Sequence, residues 1–278
     1  MTVSRRFKQV DVFTATPYLG NPVAVILEAD GLTPEEMQRV ARWTNLSETT
    51  FVLPATAQEA DYRVRIFTPV GELPFAGHPT LGTCHAWLEN GGAPRDSAAI
   101  VMECEAGLVR IRPTAAGLEF EAPPLRREGA VEADIAAEVI RALGIKTDDV
   151  VDMAWADNGP HWIAVLLKSA NAVLALAPSY TQLDIGVAGP FPAGSSEAFE
   201  VRAFFPKNGS IAEDPVTGSF NASLAQWLLG SGRAHAPYVA RQGTVLGRAG
   251  RVHISRDGNG SIWVGGSSVT CVSGEIEI

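Results

Sequence analysis

The chain has 278 residues, of which 46% are hydrophobic and 19% charged, with a net charge of −9. This balance supplies enough apolar material for a buried core and excludes a disordered polyelectrolyte, while an acidic chain with no Lys/Arg cluster argues against nucleic acid or an anionic membrane as partner. No apolar run reaches the ~18 residues of a membrane span, and the polar start Thr2 to Lys8 lacks the apolar stretch of a signal peptide, so a cytoplasmic protein is expected.

In chain order, the apolar runs Gln9 to Thr14 and Val23 to Leu27 predict strands bounded by Gly and Pro. Thr33-Pro34-Glu35-Glu36 carries a Thr-x-x-Glu capping box with Pro at the first helical position, and Met37, Val40 and Ala41 form one apolar face. That helix is expected to end near Asn45. Thr50 to Leu53, Tyr62 to Phe67, Ala99 to Cys104 and Val109 to Arg112 predict further strands. Pro79 to Asn90 is small or apolar on nearly every side and ends at Gly91-Gly92, which marks a buried helix. Ala122-Pro-Pro124 has the composition of a crossing between domains, and Glu132 to Leu143, followed by Gly144, predicts an amphipathic helix. Pro215 to Leu229, stopping at Gly230, predicts a second buried helix.

The two buried helices belong to an internal repeat. Arg65-Ile-Phe-Thr-Pro69 leads to His78-Pro79-x-x-Gly82-Thr83, and Arg202-Ala-Phe-Phe-Pro206 leads to Asp214-Pro215-x-x-Gly218-Ser219. Pro69 and Pro206 lie 137 positions apart, about half the chain. A weaker match pairs Gly20-Asn-Pro22 with Asn158-Gly-Pro160 at a similar offset. The duplication predicts two domains of one design, 1–127 and 128–278, each a curved sheet wrapped around one buried helix. The fold class is α+β.

Cys84, Cys104 and Cys271 are sparse and odd in number, with no C-x-x-C spacing, so they suggest buried thiols rather than disulfides or a zinc site. The histidines show no H-x-H or H-x-x-x-H spacing, and no glycine cluster makes a dinucleotide or P-loop fingerprint. Neither a metal nor a nucleotide cofactor is expected.

Asn21-Pro22-x-Ala24-Val25, Asn45-Leu-Ser-Glu48-Thr-Thr-Phe51, Phe67-Thr-Pro69 with Glu72-Leu-Pro-Phe-Ala-Gly-His-Pro-Thr80-Leu-Gly82, and Glu213-Asp-Pro-Val-Thr-Gly-Ser219 together resemble the PhzF family of phenazine-biosynthesis-like isomerases. The motifs run through both halves in order. The resemblance implies a diaminopimelate-epimerase-like fold of two pseudo-symmetric, mostly antiparallel domains, an active site in the cleft between them, and a homodimer. It also implies that Glu48, in the Ser-Glu-Thr-Thr-Phe motif, is the acid/base. Taken alone, Glu48 in a polar turn reads as a solvated carboxylate or a cap.

If both buried helices aim their N-termini at the cleft, their free amides and positive dipole ends favour a small carboxylate substrate. Gly77 and His78 at one entrance, and Asp214, Gly218 and Ser219 at the other, would hold it. His78 and Asp214 each precede Pro at a helix start and equally read as N-caps, a role compatible with facing a cleft. Asp214 beside a carboxylate requires a shared proton. Cysteine-dependent racemases of this fold place a thiol at each central helix entrance. Here Cys84 lies inside the first helix and the second has none, so the groups suit a one-base isomerisation by Glu48. Phe220-Asn221 stands where many relatives have Ala-His, which would add bulk if Phe220 faced the cleft. A non-catalytic relative that binds a small carboxylate is the alternative.

Overall fold

The computed structural model describes residues 2–96 and 98–278 and divides into two compact units. The first comprises residues up to Glu121 together with Gly265–Ile278, and the second Ala122–Val264. The sequence instead suggests a division at 127 with one C-terminal domain to 278. The difference arises at the last strand, β18 (Ser268–Glu277), which pairs antiparallel with β1 (Ser4–Val12) along its whole length.

In the first unit β1 also pairs antiparallel with β2 (Asn21–Ile26), and β2 runs parallel to β3 (Glu48–Leu53). β3 is antiparallel to β4 (Tyr62–Phe67), which carries the short hairpin strand β5 (Glu72–Leu73) on one stretch and the parallel β6 (Ile100–Cys104) on another. β7 (Gly107–Thr114) and β8 (Gly117–Glu121) continue antiparallel.

The second unit repeats the pattern. β9 (Arg127–Ala130) flanks β10 (Val150–Asp157), which is antiparallel to β11 (Ile163–Leu167), and β11 is parallel to β12 (Ile185–Pro190). β12 is antiparallel to β13 (Phe199–Lys207), which carries the hairpin strand β14 (Ser210–Asp214) and the parallel β15 (Tyr238–Gln242), followed by β16 (Gly250–Arg256). β17 (Ile262–Gly266) precedes β18. The duplicated motifs thus fold into the same sequence of pairings.

Local chemistry accounts for the helices. α1 (Pro34–Thr44) starts at a complete capping box, with the Thr33 side chain accepting from the Glu36 amide and Glu36 answering to the Thr33 amide. It stops at Asn45, which takes the left-handed conformation at φ 53°. Met37 and Ala41 face Ile26, Phe51, Leu53 and Phe67 in the first core. α3 (Ala133–Leu143) ends at Gly144, also left-handed, and its Val139, Ala142 and Leu143 pack on Val165, Val187 and Phe204 in the second core. α4 (Ala170–Leu174) is short and opens at Ser169.

α2 (Gly77–Glu89) and α5 (Gly218–Gly230) are the buried helices. α2 lies on β1, β2 and β3, and its closeness to them depends on Gly82: a Cβ there would sit 2.4 Å from Val23 Cγ1 and 2.9 Å from Val12 Cγ2. In α5, Phe220 is fully buried and lies against Gly186 on β12, where a Cβ would fall 2.1 Å from the ring. Its ring centroid is 5.4 Å from that of Trp162. Phe220 therefore fills the core of its own unit. Among the described residues, no helix is long and apolar enough to cross a membrane.

Candidate active site

Two of the residues singled out in the sequence meet in the first unit. Glu48 is the first residue of β3, not part of the preceding turn, and His78 sits in the first turn of α2. Their side chains approach to 3.2 Å between His78 Nε2 and Glu48 Oε2, with the ring 5% and the carboxylate 15% exposed. On the far side of the ring, Asn21 Nδ2 lies 3.3 Å from His78 Nδ1. Asn21 opens β2 and is fully buried. β2 and β3 lie side by side with Val23 opposite Glu48, so adjacent strands and the helix above them deliver all three groups to one place.

Burial lowers the pKa of His78 from its ordinary 6.5 to about 3, with a hydrogen bond to the Pro22 backbone pulling the other way. The imidazole is neutral at neutral pH and carries one N–H. Nδ1 lies beside Asn21 and Nε2 beside Glu48, and Nε2 makes no hydrogen bond among the described residues. The neutral ring therefore stands within 3.2 Å of the carboxyl with that nitrogen uncommitted.

His78 does not cap its helix. The N-cap of α2 is Ala76, whose methyl group cannot accept a hydrogen bond, and the His78 imidazole lies instead beside Asn21 and Glu48. Asp214 does not cap either. It ends β14, and α5 begins four residues later at Gly218, with Thr217 as its N-cap. The expected start at Pro215 is therefore too early.

The second entrance is instead organised by Gln242, a fully buried residue at the end of β15. Its Oε1 accepts from the Thr217 amide at 3.0 Å and from Asn221 Nδ2 at 2.8 Å, and its Nε2 donates to the Thr217 hydroxyl at 2.9 Å. That hydroxyl donates onward to Asp214 Oδ2 at 2.7 Å. Ser219, in the first turn of α5, accepts from Trp162 Nε1 at 3.1 Å, and its carbonyl accepts from Asn158 Nδ2 at 2.9 Å.

Asn21 and Asn158 stand in matching repeat segments, a signal visible in the sequence. Gln242 and Trp162 carry no motif, and their positions become apparent only once the strands are paired. The thiols take no part: the Cys84 thiol is fully buried inside α2 and pushed up to about 12, far from a thiolate.

The family model for phenazine biosynthesis-like proteins, PhzC-PhzF, matches residues 10–274. Among curated proteins, the chain is 38% identical to antisense-enhancing sequence 1 of Schizosaccharomyces pombe over 97% of both chains. It is 36% identical to trans-2,3-dihydro-3-hydroxyanthranilate isomerase of Pseudomonas fluorescens, covering 96% of this chain and 97% of that one. The Pseudomonas aeruginosa protein of the same name is 37% identical over 92% and 91%. Among solved structures, a PhzF-family protein from Bacillus anthracis matches with a TM-score of 0.83 at 24% identity, over 99% of this chain and 100% of that one. A hydroxyproline epimerase from Agrobacterium vitis shares the fold more distantly, with a TM-score of 0.62 at 12% identity over 99% and 93%.

Proposed function

Because the chain belongs to the PhzF family of phenazine biosynthesis-like isomerases, we propose that it isomerises a small carboxylic acid by moving a proton between two carbons, with Glu48 as the group that carries it. That the protein is an isomerase follows from its relatives. The substrate class and the use of Glu48 are this proposal. The observation that supports the use of Glu48 most directly is its 3.2 Å approach to a buried, neutral His78, and the substrate class rests on the relatives.

In the proposed reaction the Glu48 carboxylate removes a proton from a carbon activated by a neighbouring double bond. The electron pair shifts along the chain of carbons, and the same carboxyl returns the proton at the far end, so no atom is gained or lost. His78 stands 3.2 Å from the carboxyl and limits its rotation. A group acting as base and then acid works best with its pKa near the operating pH, and general acid–base catalysis of this kind contributes about 10²–10⁴-fold. The amide of Gly77, at the start of α2, offers a donor for the substrate carboxylate. On the family motifs, Asp214 is assigned with Glu48 and His78 to the catalytic groups, and Gly218 and Ser219 with Gly77 to substrate binding. No cofactor enters the scheme, and the expected subunit arrangement is a homodimer in the cytoplasm.

The test is solvent exchange. trans-2,3-Dihydro-3-hydroxyanthranilate, the compound named for three relatives, and then other small unsaturated acids, are incubated with the protein in D₂O and followed by proton NMR. Wild type should shift the double bond and incorporate deuterium, and Glu48→Gln should do neither. Exchange that continues unchanged in Glu48→Gln overturns the assignment. Thermal stabilisation by an acid that never exchanges would support a binding protein instead.

A further inference from the structure

We propose that Thr50 and Thr83 form a buried latch that sets the spacing between Glu48 and His78, which makes both threonines positioning residues for the proton transfer. This rests on the functional reading above. Both side chains are fully buried, and the Thr83 hydroxyl donates to the Thr50 hydroxyl at 2.7 Å. The Thr50 hydroxyl donates in turn to the Ala24 carbonyl on β2 at 3.3 Å. The chain of donors therefore runs from α2 through β3 to β2, the three elements that carry His78, Glu48 and Asn21.

The placement follows from element geometry. Glu48 and Thr50 are two apart on β3, on the same face and about 6.6 Å apart along the strand. His78 and Thr83 are five apart on α2, about 7.5 Å along the helix axis and about 140° apart around it. Both still reach β3, once at the carboxylate and imidazole and once at the two hydroxyls, because α2 is buried against β1, β2 and β3. A close approach is needed for a 2.7 Å bond between two short side chains, and Gly82, next to Thr83, permits it: any Cβ there would collide with Val23, the residue facing Glu48 across β2 and β3. A hydroxyl pair buried for packing alone is replaceable by methyl groups of the same shape at little cost. A pair that fixes where a base stands is not, because a displacement near 1 Å can cost about 10²-fold in rate.

The double variant Thr50→Val/Thr83→Val separates the two roles, since it removes both hydroxyls and leaves no buried donor stranded. The readout is the ring nitrogen spectrum of His78 in ¹⁵N-histidine-labelled protein at neutral pH, assigned by the signals lost in His78→Gln. Glu48→Gln should displace the Nε2 resonance by removing the carboxylate charge 3.2 Å away. The double valine variant should displace it by at least half as much while melting close to wild type, and Thr83→Ser should restore the wild-type position. With any acid that wild type isomerises, kcat should fall about tenfold in the double variant at nearly constant KM.

A double variant whose His78 spectrum superposes on wild type overturns the latch, as does a spectrum indifferent to Glu48→Gln. Should the double variant fail to fold, Thr83→Val against Thr83→Ser gives the same comparison. Persistent deuterium exchange in Glu48→Gln would instead bring down the catalytic reading, and leave the spectral result as a statement about geometry alone.

Discussion

The entrances of α2 and α5 descend from one repeat and have been put to opposite uses. At α2 a carboxylate and an imidazole face each other inside the fold at 3.2 Å. At α5 the corresponding space is filled by amides and hydroxyls, with Gln242 donating and accepting among Thr217 and Asn221. The same division shows in the paired hairpins. Arg65 and Glu72 form a bidentate ion pair with a quarter of each side chain exposed, and Arg202 and Glu213 form the same pair almost entirely buried, with Arg202 also donating to the carbonyls of Val173 and Leu176. The hairpin pair of the first copy is partly open to water, and that of the second is closed from it.

The largest consequence should appear at the hairpins. Arg202→Ala leaves Glu213 buried without its partner and should cost about 3–5 kcal/mol, whereas Arg65→Ala should cost about 1 kcal/mol or less because water replaces the lost cation. Urea denaturation of the two variants measures the difference, and equal losses would erase the contrast.

The second effect is pH dependence from His78. The unfolded ring binds a proton below about 6.5 and the folded one only near 3, so stability is fully present above 6.5 and falls as the pH drops toward 3. The slope is at most roughly 1.4 kcal/mol per pH unit, and an ionised Glu48 reduces it. His78→Gln should flatten the profile over that window, measured as the urea midpoint at a series of pH values.

Gln242→Ala should follow at about 2 kcal/mol, because it strands the Thr217 amide and the Asn221 side chain. Thr33→Ala, which removes the side-chain cap that α1 has and both buried helices lack, should be smallest at about 1 kcal/mol.

What the sequence made legible was local or repeated. The capping box at Thr33, the left-handed stops at Asn45 and Gly144, and the strand Tyr62–Phe67 all depend on neighbours a few positions away. The two halves showed themselves because duplicated motifs carry their own evidence. Gln242 and the hydroxyl bridge from Thr83 to Thr50 were hidden, since each acts on a partner 25 or 33 positions off through strand register. The start of α5 was placed three residues early for a related reason: Pro215 suits a first helical turn, but β14 holds the backbone extended through Asp214. The family motifs placed Glu48 and His78 together, which neither periodicity nor composition could do.

The return of β18 to β1 sets an order of events for a growing chain. The second unit is one unbroken stretch, Ala122–Val264, while the first lacks a long edge of its sheet until residues 265–278 have been made. During synthesis all of residues 122–264 are made before β18, so the unit holding Glu48 and His78 gains that edge after the chain of the second unit has been made.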